Sequence, residues 1–231
     1  MERQLTAQTQ VYYDLYLPDG YRKSRNYPLL IALHGYSGNK ESMLRLVKKI
    51  NDTDLIVASL NGPYRFIMPP KNGQPSAKVG FGWHTHYHPE DSIALHHKMI
   101  LAAIADVSSL YRVDRKNIFL LGFSQPVSLN YRFILTYPKL IRGVVAICGG
   151  IPSDLGEKPY FATTANVLHI AGATDEFYSL ERTRTFKAIL SDWIKNLEFK
   201  VYQTGHSVPR RSIPYINTWL TSILSGARPH K

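Results

Sequence analysis

Apolar residues fall along the chain in two kinds of run. Tyr27–Leu33, Leu55–Leu60, Ile118–Leu121, Val144–Cys148 and Val167–Ala171 are short and almost continuously apolar. Runs of strand length without polar alternation mark strands covered on both faces, as in a parallel sheet. Between them, apolar residues recur at helical spacing. Glu41–Ile50 carries Met43, Leu44, Leu46, Val47 and Ile50, and Asp91–Tyr111 carries Ile93, Leu95, Ile100, Leu101, Ile104 and Val107. The segment after Ser124 carries Val127, Leu129, Phe133 and Ile134, and two more helices are expected over Ser179–Asn196 and Ser212–Leu224. Residues 10–16 and Phe199–Tyr202 add a strand near each end.

Strands alternating with helices long enough for crossovers predict an α/β fold, with a mostly parallel central sheet and helices on both faces. We expect one domain over 1–231. The stretch 64–90 has no clear period and is rich in Pro, Gly, His and aromatic residues, which predicts an irregular loop or small lid.

In open parallel sheets the reacting groups lie beyond the C-terminal strand ends. The polar residues just after each apolar run are therefore the candidates. Ile118-Phe119-Leu120-Leu121-Gly122-Phe123 runs directly into Ser124, and a helix pattern begins at once. A strand, a tight turn at serine and a helix hold the hydroxyl clear of the backbone with a helix N-terminus behind it. A serine hydroxyl needs a base to take its proton and a carboxylate to orient that base. Asp175 lies in a Gly-Ala-Thr-Asp loop after one strand, and His206 in a Thr-Gly-His-Ser loop after the last. Ser124, Asp175 and His206 are thus the expected catalytic residues.

Other residues compete for these roles. His34 also follows a strand, but its His-Gly turn reads as structural, and His169 lies within an apolar run as a core histidine. Glu176, beside Asp175, is the alternative acid. Cys148 ends an apolar run with no activating neighbour and reads as buried core. Acyl transfer also needs donors for the tetrahedral oxyanion. The backbone amides of Gln125 and Tyr36 are the expected pair.

Leu33-His34-Gly35, Asn61-Gly62-Pro63, Asp114-Arg115-Lys116-Asn117-Ile118, Gly122-Phe123-Ser124-Gln125, the Gly172–Asp175 loop and Gly205-His206 occur in order over residues 27–225. Together they resemble the phospholipase/carboxylesterase family of α/β-hydrolases, which includes acyl-protein thioesterases. Leu17-Pro18-Asp19-Gly20-Tyr21 and His34–Asn39 also look like polyhydroxybutyrate depolymerases and feruloyl esterases. The resemblance implies an ester hydrolase using Ser124, Asp175 and His206 without metal or cofactor. Its substrates would be short- to medium-chain carboxylic esters, with acyl thioesters or lysophospholipids as the alternative. One position departs from the pattern: Pro126 stands where the family has glycine. Proline pushes the preceding residue away from helical φ/ψ. That residue is Gln125, so a strained turn is expected, either in a modest esterase or in an impaired, hydrolase-like binding protein.

The family lines its pocket with the stretch that here reads Gly80–His88. Phe81, Trp83, Tyr36, Phe177 and Tyr178 are the candidates for substrate contact. His84, His86 and His88 alternate as metal ligands sometimes do, but no cysteine or carboxylate motif completes a set. They are read as pocket wall or lid.

Composition changes this picture little. Of 231 residues, 44% are hydrophobic and 19% charged, as in a globular protein. A single cysteine excludes an intrachain disulfide. The formal charge is +11, but the basic residues are scattered, so no nucleic-acid partner is expected. The first residues show no apolar leader, and no apolar run of bilayer length was found; a cytoplasmic monomer or homodimer without membrane insertion is the expectation.

Overall fold

Strand β2 (Tyr27–Leu33) lies near the middle of a seven-stranded sheet, and all seven of its residues are buried. A computed structural model describes residues 1–70 and 76–226. The sheet runs β1 (Tyr13–Tyr16), β3 (Ile56–Leu60), β2, β6 (Val113–Phe123), β7 (Gly143–Ile147), β8 (Thr163–Gly172) and β9 (Ile194–Tyr202). Every pairing is parallel except β1 with β3.

The apolar runs bury both faces, as their continuity requires. Leu29, Ile31 and Leu33 face a core closed by helices α2 (Pro89–Leu110), α3 (Val127–Thr136) and α4 (Leu180–Ser191). Leu30 and Ala32 face the opposite core, closed by α1 (Lys40–Ile50) and α5 (Ser212–Leu224). The 22-residue α2, which contains an 18-residue window of mean hydropathy 1.3, is long and apolar enough by length and composition for a bilayer span, contrary to the sequence expectation. In this fold its Met99–Ile100–Ala103–Ile104–Val107 stripe packs on the sheet.

Helix starts follow local chemistry. Asn39 caps α1 by accepting the Ser42 amide at 2.9 Å, and Ser179 caps α4 through the Arg182 amide. Side-chain acceptors at these positions satisfy amides that have no partner within the helix.

The segment 64–90 is more ordered than expected. Strands β4 (Tyr64–Met68) and β5 (Lys78–Gly82) form an antiparallel hairpin with Tyr64 opposite Gly82. Residues 71–75 lie outside the described residues. Tyr64, Phe66 and Met68 are partly buried and alternate with exposed Arg65 and Ile67. The expected helix over Ser179–Asn196 is also corrected. It ends at Ser191, and β9 begins at Ile194, whose pairing with Thr163 of β8 overrides the helical spacing.

Candidate active site

Strand β6 ends at Phe123, and the backbone then turns sharply at Ser124, which has φ of 63°. This left-handed conformation is costly for a residue with a side chain and persists only where the surroundings hold it. Two contacts hold it here. The Ser124 amide donates to the Ile147 carbonyl at 2.8 Å, and its carbonyl accepts from the Val127 amide at 3.1 Å. Crowding explains two neighbouring glycines. A Cβ on Gly149 would lie 2.3 Å from Val127 Cβ, and one on Gly122 would lie 2.6 Å from Asn130 Nδ2.

Pro126 sits at the N-cap of α3 with φ of −74° and ψ of −8°. This is an ordinary proline φ, at a helix start where an N–H has no intrahelical acceptor. The Pro126 carbonyl accepts the Asn130 amide at 2.8 Å. The strain expected at Pro126 is therefore absent from the proline itself; the left-handed residue in this turn is Ser124.

His206, after β9, places Nε2 2.8 Å from Ser124 Oγ. Its Nδ1 faces both oxygens of Asp175, at 2.9 and 3.1 Å. Asp175 lies in the loop after β8 and is 5% exposed. Its Oδ1 also accepts the amides of Phe177 and Tyr178, each at 2.9 Å. Burial alone would push this carboxyl up. The hydrogen bonds from His206, Tyr178 and Phe177 outweigh it and hold the group below its usual range. Gly172 is needed because a Cβ there would meet the Thr204 and Gly205 carbonyls at 2.6 and 2.7 Å. The three predicted residues, 31 to 82 positions apart in sequence, form one hydrogen-bonded chain.

Glu176 is not an alternative acid in this geometry. Its Oε2 accepts the backbone amide of His206 at 3.0 Å, fixing the loop rather than the ring. Sequence reasoning weighed Glu176 only for the imidazole and missed this contact.

The two histidines that competed for the role of base, His34 and His169, are structural. The His34 ring is 2% exposed. Nε2 accepts the Gly62 amide at 3.0 Å, so the proton is on Nδ1, which donates to the Gly35 carbonyl at 2.7 Å. Burial pushes this ring down to about 4, so it is neutral at pH 7. Glycine is required at position 62 because a Cβ there would lie 2.3 Å from the Gly82 carbonyl oxygen. His169 stacks on Phe199 at 4.9 Å and shares a hydrogen bond with the Tyr131 hydroxyl at 2.7 Å. Cys148 is 1% exposed, and burial pushes its thiol up to about 12, followed by the influence of the Asp175 charge. It is a thiol, not a thiolate, at neutral pH.

The expected pocket residues divide. Phe177 is exposed, and its ring meets His206 edge-on at 4.7 Å. Tyr178 lies 5.9 Å from His206 and packs beneath Gly150. Phe81 is half-buried, 6.2 Å from the His34 ring. Trp83 is a correction. It is fully buried, with Nε1 donating to the His34 carbonyl at 2.7 Å, and it has no surface to offer a substrate. Its ring braces the His34 loop from below.

Tyr36 is 60% exposed and stacks on Phe66 at 4.8 Å. Among the described residues, neither the Tyr36 nor the Gln125 amide has a hydrogen-bond acceptor. Two hollows flank this loop. One, of about 280 Å³, is lined by Met43, Leu46, Phe123 and Val208 on its apolar side. The other, of about 690 Å³, opens beside Gln125 and the histidines of the hairpin end.

A parallel sheet with a serine turn after a central strand, and Ser, Asp and His at successive strand ends, defines the α/β-hydrolase class. The phospholipase/carboxylesterase family model matches residues 21–224, and the chain belongs to that family. Among curated proteins it is similar to Carboxylesterase SOBER1 of Arabidopsis thaliana, at 28% identity over 129 residues. That match spans 54% of this chain and 57% of the relative, so it reaches little more than half of either. Among solved structures, the Bacillus cereus carboxylesterase superposes with a TM-score of 0.72 at 18% identity, covering 92% of this chain and 94% of that one. Esterase PE8 superposes at 0.73 and 20% identity, covering 93% and 100%. At these identities the structures speak for the fold.

Proposed function

We propose that this chain is a serine carboxylesterase acting on short- to medium-chain carboxylic esters through an acyl-Ser124 intermediate. The observation that carries the reading is the continuous hydrogen-bonded path from Ser124 Oγ through His206 to the buried Asp175. In this reading His206 Nε2 takes the hydroxyl proton as Oγ attacks the ester carbonyl. Asp175 stabilises the resulting imidazolium. The free amides of Gln125 and Tyr36 receive the carbonyl oxygen as it becomes an oxyanion, where loss of one such donor costs about 3–4 kcal/mol. His206 then protonates the departing alkoxide, and water releases the acid by the reverse sequence. The apolar hollow of about 280 Å³ beside Tyr36 suits a short acyl chain.

Labelling with a fluorophosphonate probe, in wild type and Ser124→Ala, tests the nucleophile. Ser124-dependent labelling is expected, together with hydrolysis of p-nitrophenyl esters that declines from butyrate to longer chains. A panel of acyl thioesters and lysophospholipids separates the related activities. Absence of labelling would instead indicate a hydrolase-like binding protein.

A further inference from the structure

The larger hollow has a chemistry that simple ester hydrolysis does not need. It is walled by Arg65, His84 and His86, with Tyr64, Thr85 and the Gln125 side chain beside them. Among the described residues, no carboxylate lines it. Two carboxylates near the hairpin end are engaged with residues outside the lining: Glu2 accepts from the Tyr87 hydroxyl, and Glu2 and Glu90 both face His88. Arg65 forms no ion pair among the described residues. Its guanidinium donates to the Gln10 carbonyl at 2.8 Å and lies over the Tyr12 ring. His84 and His86 stand edge to face, 5.8 Å apart. Burial first, then the neighbouring His86 charge, depress the His84 imidazole against an opposing backbone hydrogen bond at Thr85, and Arg132, itself paired with Asp154, adds a smaller push the same way. Tyr36 and Phe66 supply a stacked aromatic wall.

We propose that this cleft is a subsite for a negatively charged group, a carboxylate or phosphate carried on one half of the ester. An anion there would gain the donors of His84 and His86 and the field of Arg65, in an open cleft beside Gln125, the residue after the reacting serine. Nitrogen donors facing an oxyanion form the stronger, charge-assisted class of hydrogen bond. The inference rests on the esterase reading for its connection to catalysis, but binding at the subsite does not.

Two matched substrate pairs place the charge. Monomethyl glutarate against methyl pentanoate puts it on the acyl half; 4-acetoxybutanoate against butyl acetate puts it on the alcohol half. In at least one pair, kcat/KM for the charged ester should exceed that for the neutral one about tenfold at low salt. The preference should shrink as ionic strength rises, because the site opens to solvent. In Arg65→Gln/His86→Gln the charged-to-neutral ratio should fall about tenfold. Calorimetry adds a readout independent of turnover: glutarate should bind the wild-type protein, weakly and in a salt-sensitive way. Preference for the neutral ester in both pairs, or a charge preference indifferent to salt, would overturn the proposal. Failure of glutarate to bind would do the same. Glutarate binding without Ser124-dependent hydrolysis would retain the subsite and remove the esterase reading.

Discussion

The side-chain oxygen of Gln125 accepts the backbone N–H of Trp83 at 2.8 Å. This bond ties the residue after Ser124 to the end of the hairpin, while the Trp83 indole holds the His34 carbonyl from the other side. The two loops that carry the proposed oxyanion donors are therefore cross-linked through one buried tryptophan. In Gln125→Ala the backbone amide survives but the Trp83 N–H loses its acceptor. An unsatisfied buried donor costs about 1–3 kcal/mol. Thermal unfolding should show that loss, and kcat should fall more than KM changes, because the donor loop is loosened rather than removed.

Trp83→Phe keeps most of the ring and removes one donor. The His34 carbonyl is then left unpaired in the core, again at a cost of about 1–3 kcal/mol. Melting temperature measures the loss. A substrate-contact role for Trp83 would instead leave stability intact and raise KM.

Glu176 and Asp175 are adjacent carboxylates with different partners. Asp175→Asn should lower kcat about a thousandfold or more, since the imidazolium loses its counter-charge. Glu176→Gln retains an acceptor for the His206 amide and should lower kcat by less than about tenfold. Glu176→Ala should fall further than Glu176→Gln. Steady-state kinetics on one p-nitrophenyl ester compares all three, and equal losses at both positions would contradict the assignment.

Four buried imidazoles set an acid limit on stability. His34, His97 and His169 are pushed by burial to about 4 and His96 to about 3, with the charge of His97 adding to the burial of His96. Unfolding returns each ring to the ordinary value of 6.5. Between pH 6.5 and about 4 the unfolded chain then binds more protons than the folded one, so stability falls as pH falls. At pH 5 each such ring costs up to about 2 kcal/mol. Melting temperature should be flat from pH 8 to 7 and drop steeply between pH 6.5 and 5. A flat profile through pH 5 would show that these rings are not buried as neutral groups.

Pro126 offers a test of the turn. Since its φ of −74° suits proline, Pro126→Gly should relieve no strain and should free the unfolded chain. The expected loss is about 0.5–1 kcal/mol, with kcat changed less than about twofold. A rise in kcat would restore the idea of a strained proline.

Much of this architecture could be read from the chain because the central strands are buried on both faces. Leu29 to Leu33 alternate between two cores, so their continuous apolarity had one structural solution. Ser124 was legible because it directly follows such a strand, and Asp175 and His206 because they lie in the short loops after β8 and β9. The hairpin was not legible. Tyr64, Phe66 and Met68 bury only part of one face, and Pro69-Pro70 interrupts their alternation. The end of α4 was hidden because the pairing of Ile194 with Thr163 is a long-range fact. Trp83 looked like pocket lining because an aromatic residue near a site is ambiguous until its neighbours, His34 and His96, are known.

The single thiol gives the protein an internal stopwatch. Cys148 lies directly after β7, with φ of 46° and Sγ donating to the Ser207 carbonyl beside His206. A maleimide cannot reach it while the loops of Asp175 and His206 stay closed over it. Its rate of modification would therefore time the opening of that end of the sheet, with no label to introduce and no second cysteine to confuse the signal.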